Sequence, residues 1–225
     1  MNICISVNTN VHNLDVDGAR KRRYAVDISD RNSAMHEAFH WLNEPSVWSG
    51  DEKALELRTD AETDFWRETF YGFIHDNGHA FLRAVSGDFT AAVIVTGDYQ
   101  ALYDQAGLYL RADEKHWIKA GIEYTDGMMH FSVVVTNGVS DWSVIPLPDA
   151  RPSDEIAMRL TRHGDAVRVQ FSVNGAAWQM ARLCPFRAGD AEIGVMACSP
   201  QREGFRATFR DLTIGPPIAR DLHLD

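Results

Sequence analysis

The stretch LYDQAGLYLRADEKHWIKAGIEY, Leu102 to Tyr124, decides how this chain folds. It reads as two successive strands, AGLYLRA and HWIKAGIEY, because side chains at i and i+2 of a strand share a face and the apolar residues keep that period. Ala106, Leu108 and Leu110 take one face of the first run, and Ile118, Ala120, Ile122 and Tyr124 take one face of the second. The opposite faces carry Gln105, Gly107 and Tyr109, then Trp117, Lys119, Gly121 and Glu123. An amide, an ammonium and a carboxylate therefore stay out of the apolar layer and gather on the outer side of one sheet.

The same rhythm continues on both sides. FTAAVIVTG, MHFSVVVTNG, EIAMRLTRHG, AVRVQFSVNG, AWQMARL, AEIGVMACSP and FRATFRDLTIG are short strands, separated by Gly-Asp, Asp-Gly and Asn-Gly pairs. Those pairs supply the positive φ that tight turns demand. In AVRVQFSVNGAAW, Val167, Val169, Phe171 and Val173 alternate with polar residues and end on Asn174-Gly175, the pattern of a two-residue hairpin. SGDEKALELRTDAETDFWRETF is the one helix candidate, and it reads as a strand followed by a loop. Repeated antiparallel hairpins at this length predict an all-β fold, a two-sheet antiparallel jelly-roll sandwich.

Residues 1–34 differ: they are polar and charged, without a sustained period, and are expected to form a flexible extension before a jelly-roll domain over 35–216 and a tail over 217–225. Met35 is a second candidate starting point for translation. The formal net charge is -10, from 32 acids against 22 Lys and Arg, a balance that repels phosphate backbones and argues against nucleic acid as partner. The basic run RKRR (Arg20–Arg23) reads as a solvated segment. Cys4, Cys184 and Cys198 show neither metal-type nor disulfide-framework spacing, which fits a reducing compartment. Without an apolar leader or a stretch long enough to span a bilayer, the expectation is a cytoplasmic protein with no membrane partner.

Six stretches together resemble the regulation-of-enolase family: WLNEPSVW (Trp41–Trp48), TDFWRETFYGF (Thr63–Phe73), DFTAAVIVTGDYQALYDQAGLYL (Asp88–Leu110), WIKAGIEY (Trp117–Tyr124), VVTNGVSDWSVIPL (Val134–Leu147) and GVMACSPQREGFRATF (Gly194–Phe209). YDQAGL, KAGIEY and SDWS are the specific parts, and the likeness runs from about Met35 to Ile214. The resemblance implies a concanavalin A-like lectin/glucanase fold and, as partner, a metabolic enzyme such as enolase. Kinship of fold to lectins and glucanases is analogy rather than evidence of sugar chemistry.

In this architecture the outer face of one sheet is concave, so Gln105, Lys119 and Glu123 either line a ligand site or form an ordinary solvated face. Lys119 and Glu123 lie four apart on one strand, about 13 Å between Cβ atoms, and need partners from other strands. Asp141 and Arg182 are the candidates. Arg182 shares strand parity with Trp178 and Met180, which together would present a ring and a charge on one face, as a sugar site does. Trp66 and Asp141 sit in segments that would form the rim. The candidate ligand-binding set is therefore Trp66, Gln105, Lys119, Glu123, Asp141, Trp178 and Arg182, with a saccharide or other small polar molecule as ligand and no cofactor.

Catalysis has less support. Glycosidases place two carboxylates about 5 Å apart across the scissile bond, often on one strand as E-x-D-x-E, and no such cluster occurs. Glu123 beside Lys119 is expected to stay ionised and to make a poor general acid. His75 and His79 flank a turn-forming Asp-Asn-Gly, so zinc is not expected; calcium at Asp76, Asn77 and Asp88 is not specified by the spacing. Cys184 and Cys198 lie in apolar settings where thiols are inert. GxGxxG and GxxxxGK[ST] are absent. Three readings stay open: a saccharide-binding domain, a regulator of a metabolic enzyme, and an enzyme using Glu123.

Overall fold

A computed structural model describes residues 38–187 and 189–222; the expected extension over 1–34, with Cys4, RKRR and Met35, lies outside the described residues. Among the described residues every regular element is a strand. One sheet takes, in spatial order, β1 (His40–Leu42), β6 (His79–Val85), β15 (Ala191–Cys198), β8 (Gln105–Asp113), β9 (His116–Thr125), β10 (Met128–Asn137) and β11 (Val139–Pro146). The second takes β14 (Gln179–Pro185), β13 (Ala166–Val173), β12 (Ile156–His163), β7 (Phe89–Gly97), β16 (Arg206–Gly215), β3 (Ala54–Arg58) and β2 (Val47–Gly50). A separate two-stranded ribbon joins β4 (Phe65–Arg67) to β5 (Ile74–Asp76). The pairings are antiparallel, and the two large sheets form a jelly-roll sandwich.

Pleat alternation builds the core. Ala106, Leu108, Leu110, Ile118, Ala120 and Ile122 from the first sheet meet Val93, Val95, Leu160, Val167, Val169 and Phe171 from the second. Phe131 stacks on Phe171 with ring centroids 4.3 Å apart, tying the central strands across the gap. The helix candidate resolves into β3 and β4 with an irregular link, because Leu55 and Leu57 alternate into the core at a period of two.

Turn chemistry fits the sequence in kind and departs from it in one place. Asp126-Gly127, at φ 52° and 75°, makes the two-residue turn between β9 and β10. Asn174-Gly175 also adopts positive φ, 49° and 75°, but the ladder between β13 and β14 ends at Phe171–Gln179, so the connection is longer than two residues. Ser172 Oγ donates to the Ala176 carbonyl, and Asn174 Oδ1 accepts from the Glu155 amide, which diverts this loop from the ladder. Past the last strand the chain straps the second sheet: the Arg168 guanidinium donates to the carbonyls of Ala219 and Asp221.

Candidate functional site

The outer face of the first sheet is read off its register. One row runs Cys198–Gln105–Glu123–His130, the next Met196–Gly107–Gly121–Ser132, the next Gly194–Tyr109–Lys119–Val134–Trp142. Gly107 and Gly121 face each other where the backbones approach closely: a Cβ on either would lie 2.1 Å from a carbonyl oxygen of the opposite strand. The glycine row leaves a bare strip of floor between the Gln105–Glu123 row and the Lys119 row.

This face is not open to solvent throughout. The β4–β5 ribbon roofs part of it and builds a second apolar cluster there, in which Phe65 stacks on Tyr109 at 4.4 Å beside Trp117, Leu82, Met196 and Cys198. Burying an aromatic ring of this kind is worth roughly 2–3 kcal/mol, enough to hold a short ribbon that could not stand alone. Three polar attachments fix its position. Arg111 forks onto both oxygens of Asp76, at 2.8 and 3.0 Å. The Arg67 amide donates to Ser140 Oγ, and its Nε donates to the Gly138 carbonyl. Lys119 Nζ meets Asp64 Oδ1 at 2.9 Å.

Asp64 is held by the HDNGH segment: its amide donates to Asn77 Oδ1, and its carbonyl accepts from the amides of Asn77 and Gly78. Its Oδ1 also accepts from the Phe65 amide, with Gln105 Nε2 at 3.5 Å. Of the residues weighed as metal ligands, Asp76 is taken by Arg111, His75 lines the cavity below, and His79 and Asp88 have partners of their own. His79 Nδ1 donates to the Asn43 carbonyl while Nε2 accepts from the Asp60 amide, and Asp88 accepts from the Gly164 amide.

Between roof and floor lies a cavity of about 410 Å³. Glu62, Asp64, Gln105, Lys119, Glu123 and Gln201 supply its polar lining; Trp66, Tyr71, Phe73, His75, Tyr103 and Trp142 supply its rings. Lys119 and Glu123 are each only 3% exposed. Burial is the largest single influence on Lys119 and disfavours its charge, but the negative groups around it, Asp64 first among them, together hold the ammonium above the usual lysine range. For Glu123 burial prevails and pushes the carboxyl up to about 7, against the lowering effects of Lys119 and of the Ser132 hydroxyl. The expectation that Glu123 tends to stay ionised is thus corrected: Lys119 is committed to Asp64, and desolvation dominates the remaining carboxyl. Trp142 Nε1 donates to Ser132 Oγ, which in turn donates to Glu123 Oε2.

Of the seven residues singled out in the sequence, Trp66, Gln105, Lys119 and Glu123 line this cavity together. Asp141, Trp178 and Arg182 lie outside it. Arg182 pairs with Asp141 at 2.7 Å and donates to Ser143 Oγ, so it links the edge strands β14 and β11 of the two sheets. The parity argument for Arg182 and Met180 fails at a bulge: Arg182 stands opposite Val169 but Met180 stands opposite Gln170, which places them on different faces. Trp178 lies under the Arg159 guanidinium at 4.2 Å, and Arg159 bonds Gln170 on the outer side of the second sheet. The partners expected for Lys119 and Glu123 are replaced by Asp64 and Ser132. Asp64, Tyr71 and Tyr103 were missed as site members; the aromatic density of ETFYGF and the tyrosine before Asp104-Gln105 were the available signals.

Fold and site together define a concanavalin A-like β-sandwich carrying a roofed, ring-walled polar pocket on one sheet. The chain belongs to the DUF1349 family, proteins of unknown function, whose model matches residues 41–217. It is 44% identical to Regulation of enolase protein 1 of Saccharomyces cerevisiae over 199 residues, 87% of this chain and 98% of that one. It is also similar to a crystal structure of a functionally unknown protein from Saccharomyces cerevisiae, at 41% identity and a TM-score of 0.76, covering 80% of this chain and 97% of the other. Carbohydrate-binding module CBM66 from Bacillus subtilis shares the fold alone, at 14% identity and a TM-score of 0.51 over 80% of this chain and 97% of the module.

Proposed function

We propose that this domain binds a small polar ligand, a saccharide, in the pocket between the β4–β5 ribbon and the first sheet. The observation that carries the reading is the convergence of a carboxyl, an amide and an ammonium on the floor with the Asp64 carboxylate on the roof side, all within aromatic walls. Planar polar groups bind hydroxyls, and rings take the C–H faces of a pyranose. The cavity, about 410 Å³, lies within the roughly 300–1,000 Å³ of small-molecule sites. Calorimetric titration against a panel of mono- and disaccharides tests it, with Trp66→Ala and Gln105→Ala expected to lose the signal. No heat from any sugar at millimolar concentration removes the proposal.

A second reading, regulation of a metabolic enzyme such as enolase, is favoured by the name of the 44% identical yeast relative. The ribbon tip offers apolar contact area for a partner: Phe70 is 94% exposed, and Tyr71, Phe73 and Ile74 are exposed beside it. Surface plasmon resonance with purified enolase, wild type against Phe70→Ser, separates this reading from the first. Binding that Phe70→Ser abolishes and sugars leave unchanged would support it; no binding at micromolar enolase would oppose it.

A further inference from the structure

The rings of the pocket form a collar that ends on a carboxyl group. Trp66 meets Tyr71 edge-on at 5.8 Å, the Tyr71 and Tyr103 hydroxyls hydrogen-bond at 3.1 Å, and Tyr103 meets Trp142 edge-on at 6.4 Å. From Trp142 the Ser132 hydroxyl continues the chain to Glu123. Ser132 reaches one Glu123 oxygen; among the described residues no donor reaches the other, on a residue only 3% exposed that lines the cavity. Among the described residues the cavity is lined by three acids, Glu62, Asp64 and Glu123, against one cation, Lys119, which Asp64 already takes.

An electron-rich collar closing on a buried carboxyl without a second donor is the arrangement that recognises an ammonium group: the ring faces attract the cation within about 6 Å, and the carboxylate accepts its N–H bonds. We propose that the ligand of this pocket carries a protonated amine set on Glu123, and that it is an amino sugar with its nitrogen free. The sugar ring in this inference rests on the saccharide reading above, whereas the amine rests on the collar and Glu123. The charged and titratable groups facing Glu123 are Lys119 on its own strand, His130 across on β10, Asp64 from the loop leading into the ribbon and Tyr103 from the loop before β8.

The test is competitive titration of the full chain with glucosamine, glucose, N-acetylglucosamine, choline and free lysine. Glucosamine is expected to bind about tenfold more tightly than glucose or N-acetylglucosamine. That preference should grow from about pH 5.5 to about pH 7, as Glu123 gives up its proton to meet the cation. Glu123→Gln should erase the preference, and Glu62→Gln, on the exposed rim, should weaken it about threefold without perturbing the core. Equal affinity for the three sugars overturns the amine and leaves the saccharide reading standing. Binding of choline or lysine with no sugar bound keeps the amine and overturns the sugar. Silence from all five probes overturns both.

Discussion

Lys119 and Asp64 stand 55 residues apart in the chain and 2.9 Å apart in the fold, and their ion pair is where the roof of the pocket meets its floor. With side-chain exposures of 4% and 15%, the pair is sheltered from solvent, so removing one partner strands a charge in the interior. Asp64→Asn should lower the unfolding free energy by about 3 kcal/mol in urea titrations, and adding Lys119→Met should recover part of that loss. A change under about 0.5 kcal/mol in the single variant would mean the pair behaves as a surface contact.

Glu123 ties stability to pH. Its carboxyl is raised from 4.5 to about 7 by burial, so the folded state holds a proton that the unfolded state releases. The contribution is complete below about pH 4.5 and is lost as pH rises through about 7, an effect on the order of 3 kcal/mol. Glu123→Gln has no proton to lose, so it should gain on the wild type as pH rises and be the more stable protein near pH 8. Parallel stability–pH curves for the two proteins would defeat this assignment.

Gly107 and Gly121 admit no side chain, since the added carbon would sit 2.1 Å from a carbonyl oxygen across the pair. Gly121→Ala should therefore cost roughly 1–3 kcal/mol by forcing β8 and β9 apart. Amide exchange should accelerate first along these two strands; unchanged protection there, with a normal melting temperature, would contradict the close approach.

The Tyr71–Tyr103 bond spans the mouth of the pocket. The bond to Tyr71 pushes the Tyr103 phenol up to about 12, aided by burial. In Tyr71→Phe the Tyr103 titration followed by ultraviolet absorbance should fall back toward 10, while stability changes by no more than about 1 kcal/mol. An unmoved titration would show the two hydroxyls are not joined.

Arg182 and Asp141 make a partly exposed edge link, with 25% and 65% of their side chains accessible. Arg182→Ala should change stability by about 1 kcal/mol or less and leave the pocket intact. A loss comparable to that of Asp64→Asn would give this edge an importance its exposure does not suggest.

Much of this was legible in the residues themselves. Alternation in QAGLYL and WIKAGIEY assigned each side chain to a face, because a pleated strand has a period of two and the core takes one parity. That argument alone set Gln105, Lys119 and Glu123 on a common outer face. It failed for Arg182, because a bulge adds a residue on one strand and inverts parity beyond it, and no composition marks where that happens.

What only the tertiary structure decided is which distant segments close over that face. Strand order in a jelly roll is non-local: β15 comes to lie beside β8, and the loop carrying Asp64 is folded down onto β9. Alternation determines the side a residue points to, since that depends on nearest neighbours in the chain. Which charge it meets there, and whether burial or attraction governs its proton, depends on packing between segments far apart, and so Glu123 changed character once the ribbon covered it.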